Sequence, residues 1–215
     1  GIPKITTAQV EDFAGLMRRL WRGETILGHD GPAGRYPVLR LDPDFDEAIP
    51  LLWTAFGPRS LALGGRVFDA VVLHTFFSDE TLARCVAAVK RAAEEAGRDP
   101  ASVRVWSCFA TVGDHLDPAL RLKKTVGRLA TYLQGYGDLL VKTNRWDPAV
   151  LARFRADPFV ASFRSAFDDK ATTEQLERVA ELIPEEWLAA AAAVAAVLFG
   201  ARQRSSDSSI SVPTR

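Results

Sequence analysis

Cysteine and histidine are scarce, and neither charge is in surplus: the 215 residues hold two Cys, three His, and 27 Lys and Arg against 27 Asp and Glu. Cys85 and Cys108 lie far apart and match no ligand spacing, so they read as reduced core thiols of a cytosolic protein. His29, His74 and His115 form no metal pattern with one another. A balanced charge gives no net field to recruit nucleic acid or anionic lipid, and it fits a small-molecule enzyme better than a polyanion binder. Long apolar runs are also missing. The most apolar segment, Trp187 to Phe199, falls well short of the ~20 residues of a membrane span. No signal peptide is recognisable, and the opening phrase GIPKITTAQ, with Gly1 in place of Met, reads as a cut edge.

What is present is ordinary globular composition, 47% hydrophobic and 25% charged, in a chain long enough for one domain with a substantial core. Thr6 and Gln9 have capping-box spacing, and Val10, Phe13, Ala14, Met17, Leu20 and Trp21 then follow a helical period that Gly23 stops. Residues 28 to 37, GHDGPAGRYP, read as a glycine and proline loop that carries His29, with a short extended piece, VLRLD, after it. Ser78 caps a helix whose buried face is Leu82, Val86, Val89 and Ala93, and Gly97 and Pro100 close it. Residues 103–112 read as a strand. From residue 117 the pattern turns helical up to 199, with Asp117-Pro118, Asp147-Pro148, Asp157-Pro158 and Pro184 as starts and QGYGDLLVKTN as a break. Residues 200–215 are polar and without period, and are expected to be a disordered tail.

The densest signal lies between. A strand near 49–55, a tight turn at Gly57-Pro58, a short helix near 59–66 and a strand near 68–74 make a βαβ unit. Repeated through 103–112, that alternation predicts a parallel sheet with helices outside. In such units ligands gather at the carboxyl ends of the strands, so the Gly57 turn is the candidate site. Gly64 and Gly65 each cost a helix about 0.5–1 kcal/mol relative to Ala, which close packing of that helix would explain.

The phrase IPLLWTAFGPRSLALGGRVFDAVVLHTF, followed by AAEEAGRDPASVRV, resembles the luciferase-like monooxygenase family, and within it the deazaflavin-dependent oxidoreductases. DFAGLMRRLWRGE followed by GHDGPAGRYP, and the long VWSCFATVGDHLDPALRLKKTVGRLATYLQGYGDLLVKTN segment, carry the same resemblance, which spans roughly residues 1 to 190. It implies an α/β fold, here a partial TIM barrel with a large helical C-terminal section in one domain over 1–199. It also implies hydride transfer to or from a small organic substrate, with a deazaflavin coenzyme or FMN as cofactor. By the resemblance, Ala55, Phe56, Gly57, Pro58, Arg59 and Ser60 match the loop that grips the cofactor phosphate. Exposed N–H groups at a helix start carry partial positive charge, and Arg59 adds a full one. The family barrel has eight strand–helix units, and about three of its strands are recognisable here. By the resemblance, the first half of the barrel is expected to be absent from this chain, and the segment from Val194 to Gly200 departs from the family pattern. The expected partners are therefore a small-molecule substrate and a homodimer. The competing reading is a truncated, non-catalytic fragment that folds only with a partner or as a homo-oligomer.

Other residues divide between site and scaffold. His74 ends its strand on the presumed active face, as a weak catalytic candidate against a packed or solvated histidine. Trp106, Cys108 and Ala110 share a strand face and are assigned to core packing ahead of a place beneath the cofactor ring. Asp69, at the other end of its strand, has a structural role. RLKK (121–124) is a basic helical turn, read as a solvated face that could alternatively meet an acidic cofactor tail.

Overall fold

The computed structural model describes residues 4–42, 45, 47, 49–191 and 193–194, the last three positions by backbone alone. The tail 200–215 lies outside the described residues. The chain divides into two compact units, Gly1–His74 with Leu82–Cys108 and Thr75–Thr81 with Phe109–Arg215.

The first unit opens with α1 (Thr7–Trp21), whose Thr6 and Gln9 form the reciprocal capping box. The buried positions of α1 are Ala14 and Leu16, whereas Phe13 and Met17 are 42% and 39% exposed. The helical period therefore overstates one stripe, because α1 packs on two sides, against the hairpin and against α2 (Pro58–Val67). Residues 28–37 are not a loop. They lie within an antiparallel hairpin, β1 (Ile26–Gly31) and β2 (Gly34–Leu39), paired from Ile26↔Leu39 to Gly31↔Gly34. Gly28 and Gly34 adopt φ of +64° and +134°, values that side-chain-bearing residues rarely accept. The same glycines that suggest a loop are thus what bends the ribbon. Asp12 of α1 holds the hairpin turn, accepting the Ala33 N–H at 2.8 Å and pairing with His29 Nε2 at 3.0 Å.

β3 (Leu52–Ala55), α2, β4 (Ala70–Leu73), α3 (Asp79–Glu95) and β5 (Arg104–Ser107) then build a parallel sheet of order β3-β4-β5. The expected βαβ unit is present with shorter strands. Ala55, Val71 and Leu73 are fully or almost fully buried on one face of the sheet. On α2, a Cβ at Gly64 would approach Val71 Cγ2 to 2.6 Å, and one at Gly65 would overlap the Val89 carbonyl oxygen of α3. Both glycines are where helix meets strand and helix meets helix too closely for a methyl group. On the opposite sheet face Leu52 and Trp106, on the two outer strands, are each 54% exposed, whereas Ala70 of the central strand is buried. Trp106 is therefore not core, and neither is Cys108, which is exposed while Cys85 is buried. The expected strand 103–112 is interrupted after Ser107, and its second half, β6 (Thr111–Val112), belongs to the second unit.

The second unit is mostly helical: α4 (Pro118–Leu122), a π-helical turn (Lys123–Gly127), α5 (Arg128–Asn144), α6 (Pro148–Ala156), α7 (Pro158–Ser162), α8 (Phe167–Lys170), α9 (Thr173–Ala180) and α10 (Glu185–Ala191). Asp117, Asp147 and Asp157 cap α4, α6 and α7 through their carboxylates, with Pro at the first turn. The expected break at QGYGDLLVKTN is only a kink at Tyr136 (φ −129°, ψ 15°). Beyond the kink the helix continues, and a Cβ at Gly137 would come within 2.8 Å of Leu151 Cδ1 of α6, so glycine there allows the close approach of the two helices. Asn144, buried at its end, donates to the Phe76 carbonyl at 2.8 Å and accepts the Ser78 N–H at 3.1 Å. It ties the segment after β4 to α5. Helix was also expected at 193–194, but β7 (Ala193–Val194) pairs in parallel with β6.

Candidate functional site

The six turn residues follow β3 directly. Gly57 is the N-cap of α2 in extended conformation (φ −100°, ψ 171°), and Pro58 occupies the first helical position. Ser60 Oγ accepts the Phe56 and Gly57 N–H groups, both at 3.1 Å, and donates to the Gly57 carbonyl at 2.9 Å. Trp53 Nε1 donates to the Ser60 carbonyl at 3.1 Å, which clamps the turn onto β3. These internal bonds change the expected donor set. The N–H groups of Phe56 and Gly57 are spent inside the turn, and Pro58 has none. What remains at the positive end of α2 is the N–H groups of Arg59 and Ser60, which precede the first intrahelical bond from Leu61 N–H to the Gly57 carbonyl. The exposed Arg59 side chain stands beside them. Two N–H groups and a guanidinium make a donor-only set that fits a phosphate. A Cβ on Gly57 would meet nothing within 4 Å among the described residues, so the space beside the turn is open.

His74 comes to the same end of the sheet. Ala55 and Leu73 are the last paired residues of β3 and β4, so Phe56 and His74 are the next residue of each strand. Their ring centroids lie 4.6 Å apart with planes tilted by 47°. The turn and His74 thus meet at the carboxyl ends of parallel strands. Sequence spacing pointed to both, but missed the role of Ser60 as an internal cap and of Trp53 as its clamp.

Asp69 lies at the amino end of β4. Its carboxylate accepts the Leu51 N–H at 2.7 Å and pairs with Arg18 at 2.9 Å, while its backbone bonds Leu51 and Arg104. It is a structural junction of α1 and the starts of three strands. His115 is exposed, 3.9 Å from its neighbour Asp114. Among the described residues no group of three His, Cys, Asp or Glu side chains could hold a metal ion, and no helix is long and apolar enough to cross a membrane.

Residues 5–197 match the family described as luciferase-like monooxygenase. The chain belongs to that family. No curated protein matches the sequence. Among solved structures, the fold is similar to the coenzyme F420 dependent tetrahydromethanopterin reductase from Methanopyrus kandleri, with 17% identity and a TM-score of 0.59 over 87% of this chain and 56% of that one. It is also similar to an F420-dependent secondary alcohol dehydrogenase in complex with an F420-acetone adduct, with 16% identity and a TM-score of 0.50 over 86% and 56%. The chain thus spans a little over half the length of each. The luciferase-like monooxygenase fold is a TIM barrel, of which this mixed α/β chain matches a part.

Proposed function

We propose that this luciferase-like chain is a flavin- or deazaflavin-dependent oxidoreductase that transfers hydride to or from a small organic substrate. The turn Ala55–Ser60 would hold the cofactor phosphate. The observation that carries this reading is the donor-only end of α2, the Arg59 and Ser60 N–H groups with the Arg59 guanidinium, at the carboxyl ends of a parallel sheet. The two F420-dependent structures support a deazaflavin as the first cofactor to test, with FMN as the alternative. A bound cofactor of this type supplies the hydride chemistry, and the protein supplies binding and orientation. Arg59 would neutralise the phosphate, Phe56 and His74 would flank the ligand at the strand ends, and His74 is the one titratable candidate for a proton contact with it. The reading treats residues 1–199 as one barrel-derived domain.

The experiment is a titration of the folded chain with coenzyme F420 and with FMN, followed by fluorescence quenching. Saturable binding is expected, about tenfold weaker in Arg59→Gln, since a charge-assisted contact to phosphate is lost. Gly57→Val should weaken binding while the chain stays folded, because the free protein has open space at that Cβ and the weaker N-cap costs only on the order of 1 kcal/mol. Absence of saturable binding to either cofactor would overturn the reading.

A second reading rests on the open sheet face. Parallel sheets normally have both faces covered, and here Leu52 and Trp106 are exposed on one of them. In that reading the chain is a non-catalytic partner that covers this face with a second copy.

A further inference from the structure

The packed helices α5 and α6 present matching stripes. Asp138, Val141, Lys142 and Arg145 follow i, i+3, i+4, i+7 spacing along α5 and its cap, and Pro148, Leu151, Ala152 and Arg155 repeat it on α6. Residues so spaced share one helix face. Together with Trp146 they line a groove of about 400 Å³ in the second unit. That volume falls within the roughly 300–1,000 Å³ of small-molecule sites. Val141 and Leu151 are buried and apolar, and Trp146 is half-buried, stacked on the buried Trp187 of α10 with ring centroids 4.4 Å apart and planes 12° from parallel.

Charge in the groove is out of balance. Lys142, Arg145 and Arg155 line it against a single carboxylate, Asp138. That carboxylate is already committed: the Arg155 guanidinium donates to Asp138 Oδ1 and faces its Oδ2, both at 2.9 Å. Lys142 lies one turn beyond Asp138, yet neither it nor Arg145 has an ion pair among the described residues. Two positive charges are therefore left without a partner beside an apolar wall. The negative end of α5 accounts for a cation in its last turn, but not for the backbone of Arg145. At φ +59° and ψ 33°, Arg145 is the one residue other than glycine with positive φ among the described residues. Glycine or asparagine normally fills that place after a helix, because a Cβ is disfavoured there. An arginine accepts that strain, and what it adds over glycine is a side chain in the groove.

We infer that the α5–α6 groove binds a small phosphate monoester with an aromatic or aliphatic body. The phosphate sits between Lys142 and Arg145, and the body lies against Trp146 and Leu151. A phosphate monoester carries close to two negative charges at neutral pH, which match the two unpaired cations. The guanidinium supplies a planar fork and the ammonium a point charge. The indole and the leucine supply the apolar wall. The site lies wholly within the second unit and does not depend on the cofactor reading of the Gly57 turn.

The test titrates phenyl phosphate into the ¹⁵N-labelled full chain, at constant ionic strength and at a pH above the second phosphate pKa of about 6. The readout is the Trp146 indole N–H resonance, identified by its loss in Trp146→Phe. A saturable shift at millimolar phenyl phosphate is expected. Phenol lacks the charge and inorganic phosphate lacks the body, and each should bind about tenfold more weakly. Benzoate, with one charge, should bind severalfold more weakly. Arg145→Gly separates a ligand role from a scaffold role. Glycine suits this φ, so the thermal midpoint should hold or rise while affinity for phenyl phosphate falls about tenfold. Lys142→Met should weaken binding as well, and Arg59→Gln should leave the Trp146 response unchanged, which distinguishes this groove from the Gly57 turn. No saturable shift, equal binding of phenol or benzoate, or parent-like affinity in Arg145→Gly would overturn the assignment. A lower midpoint in Arg145→Gly would also count against it, because the arginine side chain would then serve the fold.

Discussion

At the scale of single residues, the structure depends on a few positions that are not exchangeable for chemically similar ones. Asp69 is one. Its side chain is 37% exposed, so the ion pair to Arg18 is screened and weak by itself. The bond it accepts from the Leu51 N–H is backbone to the sheet and has no replacement. Asp69→Ala should therefore destabilise by about 1–3 kcal/mol, the cost of an unsatisfied donor. Asp69→Asn, which keeps an acceptor oxygen, should lose less. Urea denaturation of the two variants decides this, and equal stabilities would show that the charge rather than the acceptor matters. Gly65 is another such position. Alanine is favoured over glycine in a helix by about 1 kcal/mol, yet here its methyl would overlap the Val89 carbonyl oxygen. A fixed backbone oxygen cannot rotate away, so overpacking should win and Gly65→Ala should cost about 1–3 kcal/mol net. A lower urea midpoint is the expected measurement, and an unchanged or higher one would mean α2 and α3 can separate cheaply.

At the scale of elements, caps hold the second unit's short helices, and one of them makes its stability depend on acid. Hydrogen bonding from Arg178, then the N–H groups of Val160 and Phe159, hold the Asp157 carboxyl below the usual carboxylate range against its partial burial. A carboxylate depressed in the folded state contributes stability that is fully present above its unfolded value of about 3.9 and is lost as pH falls through the lower folded value. Acid unfolding below about pH 4 should therefore be shallower in Asp157→Asn than in the parent. Parallel profiles would remove Asp157 from the acid response. Asp117, Asp147 and Asp157 were legible as caps because Asp-Pro at a helix start is a local signal. The βαβ unit was legible for the same reason, through apolar runs and the Gly57-Pro58 turn. What sequence misread depends on partners distant in the chain. The hairpin looked like a loop because its glycines are ambiguous until Asp12, on another element, fixes the turn. Trp106 looked like core because period two names a face without naming what covers it. The kink at Tyr136 looked like a break because Gly135 and Gly137 read locally as helix stops, whereas the need for a small residue at Gly137 comes from Leu151 of the next helix. For the candidate site, the turn and His74 were legible by position, whereas the consumption of two of its N–H groups by Ser60 required coordinates.

At the scale of the whole molecule, the deciding feature is the parallel sheet β3-β4-β5, both of whose outer strands are edges among the described residues. Unpaired edges and an apolar exposed face are what natural sheets cover or close into barrels. Leu52 and Trp106 expose indole and aliphatic surface on that face, and the hydrophobic gain of covering it is available to any complementary surface. The neutral net charge supplies no general repulsion between copies. Self-association that strengthens with concentration is the expected behaviour, and sedimentation velocity over a hundredfold concentration range measures it. Trp106→Glu places a charge on the β5 side of the face and should shift the population to monomer while leaving the secondary structure seen by circular dichroism intact. If the parent chain is monomeric throughout, the open face is stable in water and the reading of the chain as a piece that needs a second copy fails. If both the parent and Trp106→Glu associate equally, copies meet elsewhere. Running the F420 titration on the parent and on Trp106→Glu then joins the two readings. Binding that is lost with the dimer would make the second copy part of the working enzyme, and binding by the monomer would mean that the Gly57 turn needs no second copy.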